Sequence, residues 1–444
     1  MNAATFTGSV GSLSGAEWAG QPVDDAFMRK WTQAVRITAL VFVGMQIAGG
    51  VARWVLDMVG AAPLTYLPNV MMWACIGAML YRDAVMQRTT RGVLLFALLI
   101  ATSMLVGWIN TGNAGQVVFG LWILTPFLFG LMCAPVLLKV DRTLFWVMVA
   151  TFGLAAGGTI IHSFVSYPWV GVKYSVGGVE LEGAREWHIE GGHQRLSGLA
   201  RSSFDVAGQI LMATALMALQ IKKGWARFFI WVAAAVGISL STSKGILLAL
   251  LMTAFAVEGV IGRKQWMLLG IAALGMVWLF VPPLMGWTMD WSEAARTDLN
   301  NPIYGSFIDR MNDMWPRALE LATHRGTPLL GRGLGGIGTP LSMFELGEGN
   351  AGDNLFVFCL VLIGVFAIPL FIAGYMALIR LFACLDAQAV QLAVILAVAV
   401  NWYGGVSNIL EHAFMSFGFG LMCRVLVMGF VHGGQRSSGQ EAGQ

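Results

Sequence analysis

The sequence has very little charge: 24 acidic and 27 basic residues among 444, or 11%, against 57% hydrophobic. Together with a mean hydropathy of +0.71, this excludes an ordinary soluble globular chain, in which about 25% of residues are charged. Cysteine is scarce as well. The five cysteines are assigned to apolar spans, and the two long polar segments, about 166–204 and 285–353, contain none. Neither a disulfide framework nor a thiolate metal site is available there. The first 28 residues lack the apolar core of a cleavable signal peptide, which leaves the first apolar span as the targeting signal. There is no G-x-S-x-G elbow, no Cys/His nucleophile pair and no nucleic-acid motif. His188 and His193 lie five apart without a third ligand at useful spacing, so no metal and no cofactor is expected.

What the chain does have is apolar runs long enough to cross a hydrocarbon core of roughly 30 Å. Windows bounded by charge predict an all-α polytopic membrane protein of about twelve spans. They lie near 33–53, 62–81, 92–109, 117–138, 143–165, 205–221, 225–242, 245–262, 266–284, 354–380, 387–404 and 411–431. The second is weak, because Pro63 and Pro68 interrupt its start. This divides the chain into an N-terminal tail (1–32), spans one to five (33–165), a first long loop (166–204), spans six to nine (205–284), a second long loop (285–353), spans ten to twelve (354–431) and a tail (432–444) that reads as disordered.

Lysine and arginine set the orientation. With the N-terminus inside, the inner face holds sixteen of the 27 basic residues, among them Arg29, Lys30, Arg82, Lys222, Lys223, Arg263 and Lys264. The short outer loops hold only Arg53 and Lys244, and the other nine sit in the two long loops, which both face outward. The sequence therefore predicts both termini inside. A polyanion at the outer leaflet is the partner that the outer cations suggest.

Four stretches could carry chemistry. In the first long loop, alternation around Gly177-Gly178 predicts a hairpin of Val172–Val176 against Val179–Glu182. Arg195 and Arg201 then precede a helix whose N-cap is Ser202 or Ser203. Two guanidinium groups beside a helix N-terminus suit a phosphate; they would equally tether the loop through Glu186, Glu190 or Asp205. Next, Lys244 is the only charge between Arg227 and Glu258, in a turn rich in Ser, Thr and Gly. It reads as an anion ligand or as a snorkelling lysine. In the second long loop, helical spacing from Phe307 to Leu321 predicts an amphipathic helix on the membrane surface, bent or restarted at Pro316. On it Arg310 and Arg317, seven apart, share a face and are candidate substrate ligands; the glycines of Gly331–Gly338 would let the backbone approach something bulky. Finally, Asp353 and Asn354 open the tenth span, where Asp353 would serve as a general base or as an N-cap. Glu411 and His412 open the last span and would line the same cavity.

Taken in order, "QRLSGLARSSFDVAGQILMATAL", "STSKGILLALL", "RMNDMWPRALELATHRGTPLLGRGLGGIG" and "GDNLFVFCLVLIGVFAIPL" resemble the motifs of the O-antigen ligase and polymerase superfamily of bacterial envelope glycan enzymes. They match its Arg-x-x-Gly span entry, its Ser-Arg/Lys-Gly/Thr turn, its Arg/Trp loop helix ending in Gly-x-Gly-x-Gly, and its His/Asp-Asn span start. The resemblance covers about Arg195 to Leu370; the first five spans match in number and hydropathy alone.

That resemblance implies a fold similar to lipid-linked glycosyltransferases, in a bacterial inner membrane with the active site facing the periplasm. It implies metal-independent transfer of a glycan from undecaprenyl pyrophosphate to an acceptor sugar hydroxyl. Arg195, Arg201 and Lys244 would hold the pyrophosphate, Asp353 would act as base with Arg195 as its catalytic companion, and Arg310, Arg317, Asn354 and His412 would be the substrate ligands. The acceptor would be a second lipid-linked repeat unit for a polymerase, or lipid A–core or protein for a ligase. A chain-length regulator would be a further partner, alongside membrane lipid, and no nucleic acid is implied. Many ligases carry Arg at the Lys244 position and His at the Asp353 position, so Lys with Asp-Asn favours a polymerase. A lipid-linked glycan transporter is the rival from another class; it would place charges along a path through the membrane, whereas here they gather at the rims.

Overall fold

Apolar stretches become helices throughout the computed structural model, which describes residues 25–85, 91–138, 142–176, 179–186, 194–298, 301 and 304–440. Among the described residues, six continuous helical stretches are long and apolar enough to cross a membrane: Ala62–Arg82, Val93–Thr111, Arg142–His162, Lys244–Ile261, Gln265–Thr288 and Leu355–Leu381. The number rises to eight if each of two bent helix pairs forms one span. This is a helical membrane protein. Four further apolar helices, Ser203–Ala218, Gly224–Leu240, Gln388–Gly404 and Ala413–Val427, are shorter.

Helix α1 (Asp25–Ile47) and helix α2 (Gly49–Met58) meet at 90°, so the stretch predicted as the first span is no single rod. The turn falls at Ala48, just ahead of Gly49-Gly50, where the Gly50 N–H donates to the Leu199 carbonyl at 2.9 Å and a Cβ on Gly50 would overlap Trp169. The weak second span proves continuous. A 3₁₀ turn (Ala62–Tyr66) runs into α3 (Leu67–Val85), and both prolines sit in first turns, where no N–H is needed. Helices α4 (Arg91–Thr111), α5 (Ala114–Ile123), α6 (Thr125–Leu137) and α7 (Arg142–His162) follow, with a 44° bend between α5 and α6.

Strands β1 (Lys173–Val176) and β2 (Val179–Glu182) form the predicted antiparallel hairpin, Lys173 opposite Glu182 and Val176 opposite Val179. Its turn residues, 177–178, lie outside the described residues. Helices α8 (Ser203–Ala218), α9 (Gly224–Leu240), α10 (Lys244–Ile261) and α11 (Gln265–Thr288) come next. The second long segment folds into four short helices: α12 (Ser292–Asp298), α13 (Gly305–Asp309), α14 (Trp315–Thr323) and α15 (Thr339–Phe344). Helices α16 (Leu355–Ile363), α17 (Ala367–Leu381), α18 (Gln388–Gly404) and α19 (Ala413–Gln440) complete the chain. Two expectations fail here. The backbone stays helical to Gln440 where a disordered tail was predicted, and Cys384 lies in the turn between α17 and α18 rather than in a span.

Helices α8 and α18 bury almost every side chain and form the centre, as helices apolar all round must. Helices α6 and α19 pack backbone to backbone: a Cβ on Gly420 would overlap the Phe127 carbonyl, and one on Gly130 the Phe417 carbonyl. Connections sort by end. Arg227 bridges Glu258 through two bonds of 2.7 and 2.8 Å, and Arg263 pairs with Asp386, at the end where Lys222, Lys223 and Lys264 lie. The two long segments, the α9–α10 turn and the α18–α19 turn meet at the other end, joined by Arg310–Asp353, His412–Asp205 and Glu411–Thr339 contacts.

Candidate functional site

Helix α8 starts at this second end with a side-chain cap. Ser202 is the N-cap; its Oγ accepts from the Asp205 N–H at 3.1 Å and donates to Asp205 Oδ2 at 2.8 Å. The expected phosphate seat at this helix N-terminus is therefore already taken by the chain's own carboxylate, which satisfies the same positive end.

A first cluster brings together Arg195, Lys244, Arg310 and Asp353. Arg310 Nη2 and Nε both donate to Asp353 Oδ2, at 2.7 and 3.1 Å, and Nη1 donates to the Ser306 carbonyl at 2.7 Å. Arg195 lies over the Phe204 ring, its Cζ 5.3 Å from the centroid. Burial, reinforced by the neighbouring Arg310 charge, pushes the Arg195 guanidinium below its ordinary value, while Asp353 pulls it back up. It remains cationic at any physiological pH. Lys244, exposed at the first turn of α10, lies within the field of Arg195. Arg195, Arg310 and Asp353, with Lys244 beside Arg195, thus come together from separate parts of the chain, and Asp309 lies within the field of Arg310 and Asp353.

A second cluster lies alongside. His412 Nδ1 stands 3.5 Å from Asp205 Oδ1, and its Nε2 is 3.0 Å from Ser407 Oγ and 3.3 Å from Tyr403 Oη. Arg201 reaches Asp205 Oδ2 at 3.8 Å. So Arg201 does not form a clamp with Arg195: it shares its carboxylate with His412, and Arg185 joins it through backbone pairing of the hairpin exit, Arg185 N–H to Arg201 carbonyl at 2.8 Å. Glu411 accepts from the Thr339 N–H at 2.7 Å and hydroxyl at 3.0 Å, tying the last turn to α15. Burial pushes the Glu411 carboxyl up, and the Thr339 bonds pull it part of the way back.

Other expectations need correcting. The N-cap of α16 is Asn354, not Asp353: Asn354 Oδ1 accepts from the Val357 N–H at 3.0 Å, and its amide donates to the Leu279 and Gly405 carbonyls, each at 3.0 Å. Wholly buried and fully bonded, Asn354 has nothing left for a substrate. Arg317 does not share a face with Arg310, because residues Arg310–Met314 form a π turn that shifts the register. Arg317 pairs instead with Asp313 at 3.1 Å and lines a polar cleft of about 180 Å³ that neither Arg310 nor Asp353 borders. The apolar face of α14 packs on protein. It buries Trp315, Ala318, Leu321 and Ala322 against α11 and α16, with the Trp287 indole N–H donating to the Trp315 carbonyl at 2.8 Å.

The Gly-rich run approaches the protein's own backbone. Gly331, Gly333, Gly335 and Gly338 all have positive φ, and a Cβ on Gly333 would overlap Gly107 of α4. Arg332 within it is buried and holds Glu345 through two bonds of 2.8 and 2.6 Å. His188, His193 and Glu190 lie outside the described residues, and among those described no group of three His, Cys, Asp or Glu gathers for a metal.

Sequence reasoning missed Arg185, Tyr403, Ser407 and Phe204. Phe204 stands within the first motif stretch but was given no role there, and the other three stand in none; only the crossing of the first long segment with the end of α18 and the α18–α19 turn brings them together. Compared with protein-family models, curated proteins and solved structures, the chain matches none.

Proposed function

We propose that this protein is a glycan polymerase of a bacterial inner membrane. It would transfer an oligosaccharide from undecaprenyl pyrophosphate to a hydroxyl of a second lipid-linked repeat unit. One observation carries the reading: Arg195 and Arg310 converge on Asp353, with Lys244 beside Arg195, at the end of the bundle where both long segments meet. A pyrophosphate leaving group needs cations, and an attacking hydroxyl needs a base.

In this reading the four shorter apolar helices also cross the membrane, giving twelve spans with both termini inside and the site at the periplasmic surface. The cation-rich opposite end, with Lys222, Lys223, Arg263 and Lys264, fits an inner face. The acceptor oxygen attacks the anomeric carbon as the bond from that carbon to the phosphate oxygen breaks, with inversion. Undecaprenyl pyrophosphate departs with the electron pair, and Arg195 and Lys244 neutralise the charge that builds on it. Both Arg310 bonds fall on Asp353 Oδ2, which orients Oδ1 toward the acceptor hydroxyl to take its proton.

The test is a product ladder. The full chain in lipid nanodiscs is given undecaprenyl-pyrophosphate-linked repeat units and no other acceptor, and products are separated by size. Multiples of the repeat support a polymerase. Donor that stays intact until lipid A–core or protein is added makes the enzyme a ligase, and donor intact with every acceptor removes the reading.

A further inference from the structure

The second cluster, around Asp205, has a feature that the transfer chemistry does not use. Asp205 is a hub: Oδ1 faces His412 Nδ1 at 3.5 Å, while Oδ2 takes the Ser202 hydroxyl at 2.8 Å and faces Arg201 Nε at 3.8 Å. The far nitrogen of His412 meets two hydroxyls, Ser407 at 3.0 Å and Tyr403 at 3.3 Å. A hydroxyl both donates and accepts. Neutral His412 accepts from Ser407 through Nε2; protonated His412 donates to it. Both protonation states are therefore accommodated without leaving a buried polar atom unpaired, which is what a titrating imidazole requires and a purely structural one does not.

Among the described residues, the charges around this imidazole come from three parts of the chain. Helix α8 presents Asp205 and helix α18 presents Tyr403, beyond which lie Arg310 and Asp353. The α18–α19 turn presents Glu411, whose two oxygens are held by Thr339. The hairpin exit presents Arg201 and Arg185. The Phe204 ring stands between the two clusters, with the His412 ring centroid 6.0 Å away and Arg195 over it.

We propose that Asp205 divides its charge between His412 and Arg201, so that protonation of His412 draws Asp205 away and leaves the Arg201 guanidinium for an anionic ligand. The ligand class is a pyrophosphate ester, and the inference rests on the reading of this end as a pyrophosphate site. The sign follows directly. With His412 protonated the ring carries a charge that Asp205 neutralises, Arg201 gives up its carboxylate partner, and anion binding is strong. With His412 neutral, Asp205 turns to Arg201 and binding weakens. His412 and Asp205 are then positioning residues that tune affinity for donor and leaving group, and protons in the outer compartment regulate the enzyme.

The experiment measures binding of inorganic pyrophosphate by calorimetry to the full chain in phosphatidylcholine nanodiscs, between about pH 8 and about pH 5.5. Wild type is compared with His412→Gln, so that protonation of the anion itself cancels in the ratio of affinities. The ratio of wild type to variant is expected to rise roughly fivefold or more as pH falls. Arg201→Gln, a change at an exposed side chain that the fold does not depend on, should flatten the pH response in the same way. Asp205→Asn should bind at the upper pH as tightly as wild type does at the lower. A ratio that stays flat across the range overturns the inference alone, as does a pH response that survives in Arg201→Gln. No binding by wild type at any pH overturns the pyrophosphate site as well.

Discussion

Arg310 sets two donors, Nε at 3.1 Å and Nη2 at 2.7 Å, on one oxygen of Asp353, and its third, Nη1, on the Ser306 carbonyl. The pair is mostly enclosed, with 15% and 24% of the two side chains exposed. Such a bond holds a carboxylate in one orientation, which a base at a membrane mouth needs and a helix cap does not.

If Asp353 accepts the hydroxyl proton, Asp353→Asn keeps the shape and loses the base. Donor binding should survive, and turnover should fall by about 10²-fold or more. Unchanged turnover would leave Asp353 as an anchor for Arg310 and nothing else. Arg310→Ala strands the carboxylate and should also lower thermal stability, by roughly 2–3 kcal/mol.

Arg195→Ala should lower transfer by about 10²–10³-fold while leaving expression and insertion intact. Arg317 offers the contrast, since its partner Asp313 is one helical turn away and both are exposed. Arg317→Ala should shift stability by less than about 0.5 kcal/mol and leave turnover near wild type. Equal losses in both variants would mean that the two long segments act through their net charge.

Asn354 ties the start of α16 to α11 and to the α18–α19 turn. Asn354→Ala removes a cap and leaves two buried carbonyls without donors, at a cost of about 2–4 kcal/mol. A melting curve in detergent reads this directly. Asp353→Asn should show no comparable drop, and this difference separates cap from base.

Gly333 has φ near +88° and lies against Gly107. Gly333→Ala should destabilise the protein by about 3 kcal/mol or more, through both the backbone and the overlap. Limited proteolysis at the loop would register the loosening. A stable, active Gly333→Ala protein would mean that the run serves substrate rather than packing.

Hydropathy and turn chemistry made much of the fold readable: the hairpin register, the Ser202 cap and the helical character of the apolar runs all lie in local sequence. The 90° turn at Ala48 was hidden, because the Gly50 that follows it packs on Trp169 and the Leu199 carbonyl, over a hundred residues away. Arg310 and Arg317 misled for a related reason. Spacing assumes 3.6 residues per turn, and a π turn between them breaks it. The glycines of Gly331–Gly338 signalled close approach correctly, yet sequence alone does not say to what. Asp205 and His412 stand 207 positions apart in the chain, and only tertiary packing pairs them.

The central claim is that undecaprenyl pyrophosphate leaves at the Arg195–Asp353 cluster. The most direct measurement follows release of free undecaprenyl pyrophosphate over time from lipid-linked repeat units, by the wild-type chain and by Arg195→Ala side by side, with chelator present and no nucleotide sugar. Release by wild type in step with glycan joining, and its loss in the variant, is the predicted result. Equal release by both proteins, or none by either with all acceptors supplied, would contradict the account.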